Sequence, residues 1–195
     1  MTKTNTEVLN KTKNSLSSLL NPETIAVIGA SNDPERISGR PIEYLKRYGF
    51  EGEIYPVNPK YEEVQGLKAY KNIKDAPDDI DLVIVAIAAR FVVETLKICV
   101  DKNVKSCMIF SSGFAEMDEE GEQLQNEIAN IARESGMAIV GPNCQGIANF
   151  ENRSVTSFST AFVEGELVTG SSAILSQSGA VAAMVYDMQI KQGTG

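Results

Sequence analysis

The sequence contains neither histidine nor tryptophan, and it has only three cysteines among 195 residues. A Cys–His nucleophile pair therefore cannot form from this chain, and a zinc site would have to use thiolates and carboxylates alone. Two of the cysteines, Cys99 and Cys107, lie in apolar segments and are expected to be small, buried hydrophobic residues. We predict no metal site and no catalytic residue in the chain itself.

An excess of positive charge and long apolar runs are also absent. Lysine and arginine number 18 against 26 acidic residues, a net charge of −8. Such a surface repels nucleic acid and anionic membranes, so a polyanion would need a local site of backbone amides or a few basic side chains. The longest apolar run, Leu82 to Ala89, is far shorter than the roughly 18 residues of a membrane span. Residues 1–20 lack the apolar core of a secretory signal, so the expected location is the cytoplasm.

Strand and helix signals alternate along most of the chain. The run at 81–87 is apolar on both faces, as a central parallel strand is, whereas Pro56 places the second strand at an edge or a strand end. Gly136 is expected to end a helix as its C-cap. The pattern predicts an α/β fold, a doubly wound parallel sheet of the Rossmann type. Strands are expected at 25–29, 54–57, 81–87, 106–110 and 138–140, and helices at 40–48, 91–100 and 118–135.

The domain organisation follows from where this alternation begins and ends. We expect a polar tail over 1–20, the sheet domain over 21–150 and a linker over 151–170. A strand at Ser172–Ser176 and a helix at Ser178–Lys191, with Val181, Met184, Val185 and Met188 on one apolar face, then form one further βα unit. A lone βα unit cannot bury both faces of a sheet. Residues 171–195 are therefore predicted to be the start of a second, flavodoxin-like domain that is cut short.

The first strand ends in Gly29-Ala30-Ser31-Asn32, a turn with small and polar residues. In doubly wound sheets, phosphates bind where such a turn meets the following helix N-terminus. The spacing is not that of a dinucleotide fingerprint, and the second strand ends in Val57-Asn58-Pro59-Lys60 instead of the acidic residue that holds an NAD ribose. A lysine there suits a nucleotide with an extra ribose phosphate, such as coenzyme A. A tight turn beside a solvated lysine is the alternative interpretation.

Longer stretches resemble a known family. The segment IAVIGASNDPERISGRPIEYLKRYGFEGEIYPVNPKYEEVQG, followed by VIVAIAARFV, IFSSGFAE, GPNCQGIAN and ILSQSGA, is similar to the CoA-binding domain of NDP-forming acyl-CoA synthetases. That family includes acetate–CoA ligase (ADP-forming) and the succinyl-CoA synthetase alpha subunit. The resemblance covers residues 19–190 with several motifs in the expected order, which makes it far more specific than a single glycine turn.

The resemblance implies roles for individual residues. It places the CoA pyrophosphate on the turn of Gly29, Ala30, Ser31 and Asn32, and the adenosine and phosphate end on Val57, Asn58, Pro59 and Lys60. The pantetheine arm would pass Ala86, Ile87 and Ala88 towards Ser111, Ser112 and Gly113, with Glu116 nearby. Asn143 would lie beside the reacting thiol, and Cys144 would shape that loop by packing, because no histidine base is available to activate it.

A second strand–turn–helix signal lies at Ser176, Ser178 and Gly179. In the family, the matching helix start holds the phosphate of a phosphohistidine, while an ordinary serine-capped helix is the alternative interpretation. The catalytic histidine and the ATP-grasp module, which binds Mg²⁺ and ADP or ATP, are not in this sequence. The chain is thus expected to bind CoA without making acyl-CoA alone, and to need an ATP-grasp domain or subunit. Whether it forms a homo-oligomer stays open.

Three other functions are compatible with parts of the pattern. A CoA-binding module that senses or stores CoA would have no use for residues 171–195. A regulatory region of a protein lysine acetyltransferase would carry such a synthetase-like segment without the histidine. An NAD-dependent oxidoreductase is disfavoured by Asn58 and Lys60. The acyl substrate and the choice between ADP and GDP are not readable from these motifs.

Overall fold

A five-stranded parallel sheet is the central element of this computed structural model, which describes residues 15–164 and 166–194. The strands of this sheet follow the order β2-β1-β5-β6-β7. Their bounds are β1 Thr24–Ile28, β2 Glu53–Val57, β5 Leu82–Val85, β6 Ser106–Ile109 and β7 Ala138–Val140. Two antiparallel hairpins accompany the sheet: β3 Glu63–Val64 with β4 Leu67–Lys68, and β8 Gly146–Asn149 with β9 Ser154–Ser157.

Helices connect the parallel strands. Their bounds are α1 Arg40–Arg47, α2 Val92–Asp101, α3 Glu119–Ser135 and α4 Gly179–Lys191, with 3₁₀ turns at Ile73–Asp75, Ala89–Phe91 and Thr160–Phe162. The start of α3 is fixed by Asp118, whose carboxylate accepts from the Gly121 amide at 2.8 Å, and its end by Gly136 at φ 73°. Among the described residues, no helix has the length and apolar character needed to cross a bilayer.

Both faces of the sheet are buried, which confirms the predicted doubly wound α/β fold. Successive residues of a strand point to opposite faces. Ile25 and Val27 of β1 accordingly pack on the α1 side, whereas Ala26 and Ile28 pack on the side of α2 and α3. Each fully buried Val, Leu or Ile contributes about 1.5–3 kcal/mol relative to exposure. The edge position of β2 also confirms the interpretation of Pro56.

The N-terminal segment differs from the predicted polar tail. Residues 15–20 are helical, and residues 1–14 lie outside the described part of the chain. Leu19 is buried in the core on the α1 side of the sheet, and the Ser15 hydroxyl donates to the Gly136 carbonyl at 3.1 Å. Three leucines in a polar stretch, Leu16, Leu19 and Leu20, are a weak hydrophobic signal, and it is tertiary packing that makes Leu19 alone a core residue.

The predicted linker also differs from the structure, because β9 lies within residues 151–170. All four residues of β9 are buried, and β9 pairs with β8 and packs against α1. The Tyr44 hydroxyl of α1 donates to the Ser159 carbonyl at 2.9 Å, which fixes the chain after the hairpin. Three of the four residues are Ser or Thr, so the sequence carries no apolar alternation there although the strand is covered by the rest of the molecule.

The last βα unit is half formed. The helix predicted at its end is present as α4, with the Ser178 hydroxyl oxygen accepting from the Val181 amide at 3.4 Å. The predicted strand at Ser172–Ser176 is wrong, since these residues form no strand and the Leu175 side chain is fully exposed. A strand requires a neighbour that completes its hydrogen bonds. No strand of the described chain pairs with this segment.

Candidate functional site

The carboxyl ends of the parallel strands meet along one edge of the sheet, where the loops predicted to bind a ligand are collected. Strand β1 lies between β2 and β5, so the chain reverses its winding direction there, and such a switch point leaves a crevice for ligands. Several loop residues at this edge have a positive φ: Gly29 (87°), Gly113 (97°), Gly141 (102°) and Asn143 (55°). Sharp chain reversals after the strands therefore build this edge.

The loops that follow β1, β2 and β5 contact one another at Gly29. Its amide donates to the Val57 carbonyl at 2.9 Å, and the Ala86 amide donates to the Ile28 carbonyl at 3.0 Å. A Cβ atom at position 29 would overlap the Ala86 carbonyl oxygen. Only glycine fits both this close approach and the positive φ.

Asn58 joins the turn after β1 to the turn after β2. Its side-chain amide donates to the Ala30 carbonyl at 2.8 Å, and its Oδ1 accepts from the Lys60 amide at 3.0 Å. This closed turn presents Lys60 at an exposed position, preceded by Pro59. The end of β2 therefore offers an amide-locked turn and a cation, with no carboxylate from 57 to 60.

The two polar side chains of the first turn play different parts. The Ser31 hydroxyl oxygen accepts from the Asp33 amide at 3.1 Å, which leaves its own O–H able to donate. The Asn32 side chain, in contrast, is engaged by the β3–β4 hairpin: it donates to the Glu63 carbonyl at 3.3 Å and accepts from the Gln65 amide at 2.7 Å. Asn32 therefore holds the loop in place, and its side chain is already occupied within the protein.

The segment after β5 is held by Ser111. The Ile87 amide donates to the Ser111 hydroxyl oxygen at 3.3 Å, and that hydroxyl donates in turn to the Ile87 carbonyl. Gly113 lies next to Ala89, since a Cβ at position 113 would be in van der Waals contact with the Ala89 Cβ, at 3.4 Å. The loops after β5 and β6 therefore form one wall, which includes the predicted residues Ala86, Ile87, Ala88, Ser112 and Gly113.

Glu116 fixes the shape of the loop after β6. Its carboxylate accepts from the Gly113 amide at 2.7 Å and from the Phe114 amide at 3.1 Å. These hydrogen bonds, that of Gly113 foremost, hold the pKa of Glu116 below its usual value. The two amides are thus occupied by a carboxylate of the chain itself. Ser112 remains the exposed polar side chain of this loop.

The loop after β7 brings Asn143 to the same edge. The backbone N–H of Asn143 donates to the Ser111 carbonyl at 2.9 Å, and the Asn143 side chain is exposed. Cys144 lies behind it, with its sulfur 3.4 Å from the Ile109 carbonyl oxygen. Burial raises the pKa of the Cys144 thiol, which opposes thiolate formation and fits packing rather than nucleophilic attack.

The second glycine turn, at residues 176–179, contacts the loop after β7 through Gln145, a residue that was not predicted from the sequence. A Cβ at Gly179 would overlap the side chain of Gln145, so Gln145 lies against the first residue of α4. The Ser176 hydroxyl oxygen accepts from the Ser178 amide at 3.1 Å, which orders the turn itself. Gln65 was missed as well. Neither glutamine belongs to a periodic pattern, and both contact residues that are distant in the sequence, so no local signal indicates their role.

Comparison with known proteins places these residues in a described family. Residues 23–149 match a family model described as CoA binding domain. Over 175 residues, 90% of the chain, the sequence is 43% identical to the acetate–CoA ligase [ADP-forming] II subunit alpha of Pyrococcus furiosus. It is 37% identical over 179 residues, 92% of the chain, to the 4-hydroxybutyrate–CoA ligase [ADP-forming] of Nitrosopumilus maritimus.

A solved structure shows the same fold. The dinucleotide forming acetyl-coenzyme A synthetase 1 of Ca. Korarchaeum cryptofilum, in its apo form, superposes with a TM-score of 0.83 at 33% identity over 92% of this chain. The chain spans 37% of the length of the Pyrococcus furiosus subunit, 25% of the Nitrosopumilus maritimus ligase and 38% of the Korarchaeum structure. These three proteins are therefore each more than twice as long as the region compared.

Proposed function

This chain belongs to the CoA binding domain family, and from that premise we propose that it is the CoA-binding portion of an NDP-forming, specifically ADP-forming, acyl-CoA synthetase. CoA is an adenine nucleotide with a pyrophosphate and a ribose 3′-phosphate, joined to a pantetheine arm that ends in a thiol. A site for it needs donors for two anionic groups and a path for the arm. The carboxyl edge of the sheet offers both in the order in which the family resemblance places them.

One observation carries the choice of CoA over NAD, namely the turn after β2. Asn58 locks that turn against Ala30 and leaves Lys60 exposed beside the first glycine turn. A carboxylate at this place would hold ribose hydroxyls, whereas an ammonium attracts a ribose phosphate. We assign Lys60 to the 3′-phosphate and the turn from Gly29 to Asn32 to the pyrophosphate.

The pantetheine arm is proposed to follow the wall between the loops after β5 and β6. Ala86, Ile87 and Ala88 offer apolar side chains and backbone groups, and Ser111 holds this segment in place. Beyond it, Ser112 and Asn143 are exposed polar residues on neighbouring loops. They are proposed to face the thiol end, where Asn143 could donate its side-chain amide to a carbonyl or phosphate oxygen.

The complete reaction interconverts acyl-CoA, NDP and phosphate with the free acid, CoA and NTP through a phosphohistidine. This chain has no histidine, so the phosphoryl carrier has to come from another segment or chain. The same holds for the ATP-grasp part that would bind Mg²⁺ and nucleotide. We propose that the amides at the start of α4, after Ser176 and Ser178, meet the transferred phosphate.

The acyl substrate is proposed to be selected mainly outside this portion. The relatives named for acetate and for 4-hydroxybutyrate both match about nine tenths of this chain. Residues that handle CoA can be shared among such enzymes, because CoA is common to all of their reactions. The choice of acyl substrate would then be determined by the parts of the enzyme that contact the acid.

Calorimetric titration of the purified chain with CoA tests the proposal, with NAD and dephospho-CoA as comparison ligands. We expect saturable CoA binding, weaker binding of dephospho-CoA and no heat from NAD. Binding of NADH or NAD without CoA would contradict the assignment. CoA binding by this chain, together with a coding sequence that continues into an acetyltransferase domain, would instead favour a regulatory region of a protein lysine acetyltransferase.

The role of Lys60 can be tested separately. Lys60→Glu should weaken CoA binding by about ten- to a hundredfold, because it replaces a charge-assisted hydrogen bond by repulsion. Dephospho-CoA, which lacks the 3′-phosphate, should lose much less affinity. Lys74→Glu changes the net charge equally and serves as the matched control. Equal losses for CoA and dephospho-CoA would move Lys60 to another part of the ligand.

A further inference from the structure

The side chain of Gln65 connects the two ends of the loop that follows β1. Its Nε2 donates to the Ser31 carbonyl at 2.9 Å and to the Gly39 carbonyl at 3.0 Å. Residues 31–39 lie between these two carbonyls, and α1 begins immediately afterwards. One amide group therefore closes the base of the loop that continues from the turn at residues 29–32, to which the proposed function assigns the pyrophosphate.

The backbone of Gln65 is tied to the same region. Its amide donates to Asn32 Oδ1 at 2.7 Å, and its carbonyl accepts from the Lys46 ammonium at 2.5 Å. Loop, α1 and the β3–β4 hairpin thus meet at a single residue. Three of the four hydrogen bonds between this short hairpin and residues 31–39 involve Gln65, and the fourth runs from the Asn32 side chain to the Glu63 carbonyl.

Glutamine is an unexpected residue at this position for two reasons. Gln65 and Gly66 form the two-residue turn of the hairpin with φ values of 51° and 82°, a geometry for which Asn-Gly is preferred over Gln-Gly. In addition, Gln65 Oε1 is buried without a hydrogen-bond partner. Neither the turn nor the burial favours glutamine. What distinguishes it from asparagine is one more methylene, which gives the reach to both carbonyls.

We propose that Gln65 is a positioning residue for the phosphate end of CoA, an inference that rests on the proposed function. It acts through the loop and does not touch the ligand. Carbonyl oxygens repel an anion, and Nε2 holds two of them on the hairpin side of the loop. The backbone amides of Asn32, Ile37 and Ser38, which have no acceptor among the described residues, then remain the groups of this loop that can meet a phosphate.

Gln65→Asn separates this role from a structural one. Asparagine suits the turn at least as well, but its side chain is too short to reach both the Ser31 and Gly39 carbonyls. We expect the urea midpoint to be unchanged or raised, while CoA affinity measured by calorimetry falls by about tenfold or more. Gln123→Asn makes the same chemical change on the exposed surface of α3; it should leave CoA affinity unchanged and lower the urea midpoint only slightly, because asparagine is the weaker helix former.

Gln65→Glu supplies a second readout. Glutamate keeps the length, but its ionised carboxylate has no donor and would face two carbonyl oxygens. CoA affinity should fall at pH 7. The ratio of variant to wild-type Kd should decrease towards one as the pH approaches 4–5, because protonation of the new carboxylate restores one donor. A ratio that stays constant with pH would contradict the role of Nε2.

The outcomes distinguish this inference from the proposed function. If the wild-type chain binds CoA and Gln65→Asn binds it equally well, Gln65 is not a positioning residue and the proposed function is unaffected. If Gln65→Asn lowers affinity only in proportion to a loss of stability, the residue is structural. No CoA binding by the wild-type chain would overturn the proposed function, and this inference with it.

Discussion

Two strand–turn–helix signals in this chain, at Gly29 and at Gly179, look alike in sequence and differ in the structure. The first is complete: all but the first residue of β1 are buried, the turn touches two neighbouring loops, and α1 covers the sheet. In the second, α4 has formed but no strand precedes it. A serine N-cap stabilises the start of α4, and the hydrogen bonds of a helix lie within its own segment. A strand exists only where neighbouring strands complete its hydrogen bonds.

The exposure of side chains follows the same division. The apolar face predicted for α4 is exposed, with Val181 at 50% and Met184 at 65% of their full accessible area. Besides the contact of Gly179 with Gln145, α4 is joined to the rest of the molecule by Tyr186, whose ring centroid lies 5.0 Å from that of Phe162 and 5.5 Å from that of Phe150. Residues of equal hydrophobicity should therefore contribute very different amounts to stability in the two regions.

The largest difference is expected for alanine at the two turn glycines. Gly29→Ala combines a positive φ with overlap between the new Cβ and the carbonyl oxygen of Ala86, the residue that follows β5 and whose amide is bonded to Ile28. We expect a loss of about 3 kcal/mol in the free energy of unfolding, measured by urea denaturation, and loss of CoA binding. Gly179→Ala meets only the Gln145 side chain, which can move, and should change stability by less than about 0.5 kcal/mol.

A third glycine, Gly66, separates the cost of the positive φ from the cost of the overlap with Ala86. Gly66 has a φ of 82°, close to the 87° of Gly29, but nothing lies within 4 Å of the position of its Cβ. Gly66→Ala should therefore cost only the left-handed conformation, about 1–2 kcal/mol. If Gly29→Ala and Gly66→Ala were equally destabilising, close approach to β5 would not be what requires glycine at position 29.

Ion pairs give the next contrast. Asp81 is 8% exposed, accepts from the Glu23 and Thr24 amides at 2.8 and 3.2 Å, and pairs with the Lys105 ammonium at 2.8 Å. Burial by itself would raise the pKa of Asp81, but these hydrogen bonds and the Lys105 charge outweigh it and lower the pKa. Asp81→Asn should cost about 2 kcal/mol at pH 7.

The pH dependence of this cost has a definite sign. A carboxyl group with a lowered pKa in the folded state stabilises the protein above its unfolded-state pKa, and that contribution is lost as the pH falls through the folded-state value. The difference between the wild-type chain and Asp81→Asn should therefore be constant from pH 7 to about 5 and shrink below about pH 4. Asp187, which pairs with Lys191 on the exposed surface of α4, provides the control: Asp187→Asn should cost less than about 0.5 kcal/mol throughout.

The sheet could be predicted from the sequence because its signals are local. Apolar runs of strand length, helical periodicity and the capping residue Gly136 each determine structure within a few neighbouring positions. Hairpin β8–β9 was missed for the opposite reason. Three of the four residues of β9 are polar, and β9 is buried against α1, which lies more than a hundred positions earlier in the sequence.

The candidate site divides in the same way. Gly29 and Asn58 could be found because a glycine turn and the end of a second strand have known positions in this class of fold. The contacts of Gln65 with Ser31 and Gly39 could not, because they join residues 34 and 26 positions apart and depend on the rotamer of one side chain. The same holds for Asn32, whose sequence context suggested a phosphate donor and whose side chain is engaged by the hairpin.

The smallest of the expected contrasts compares two valines. Val155 of β9 is fully buried although its segment was predicted to be a linker, whereas Val181 of α4 is half exposed although it lies on a predicted apolar face. Val155→Ala removes two methyl groups from packed surroundings and should cost about 1.5 kcal/mol in urea unfolding. Val181→Ala should be neutral or slightly stabilising, because alanine is the better helix former and little buried area is lost. Equal losses for the two variants would mean that the face of α4 carrying Val181 is covered in solution, and the contrast between the two turns would then lie in the strand alone.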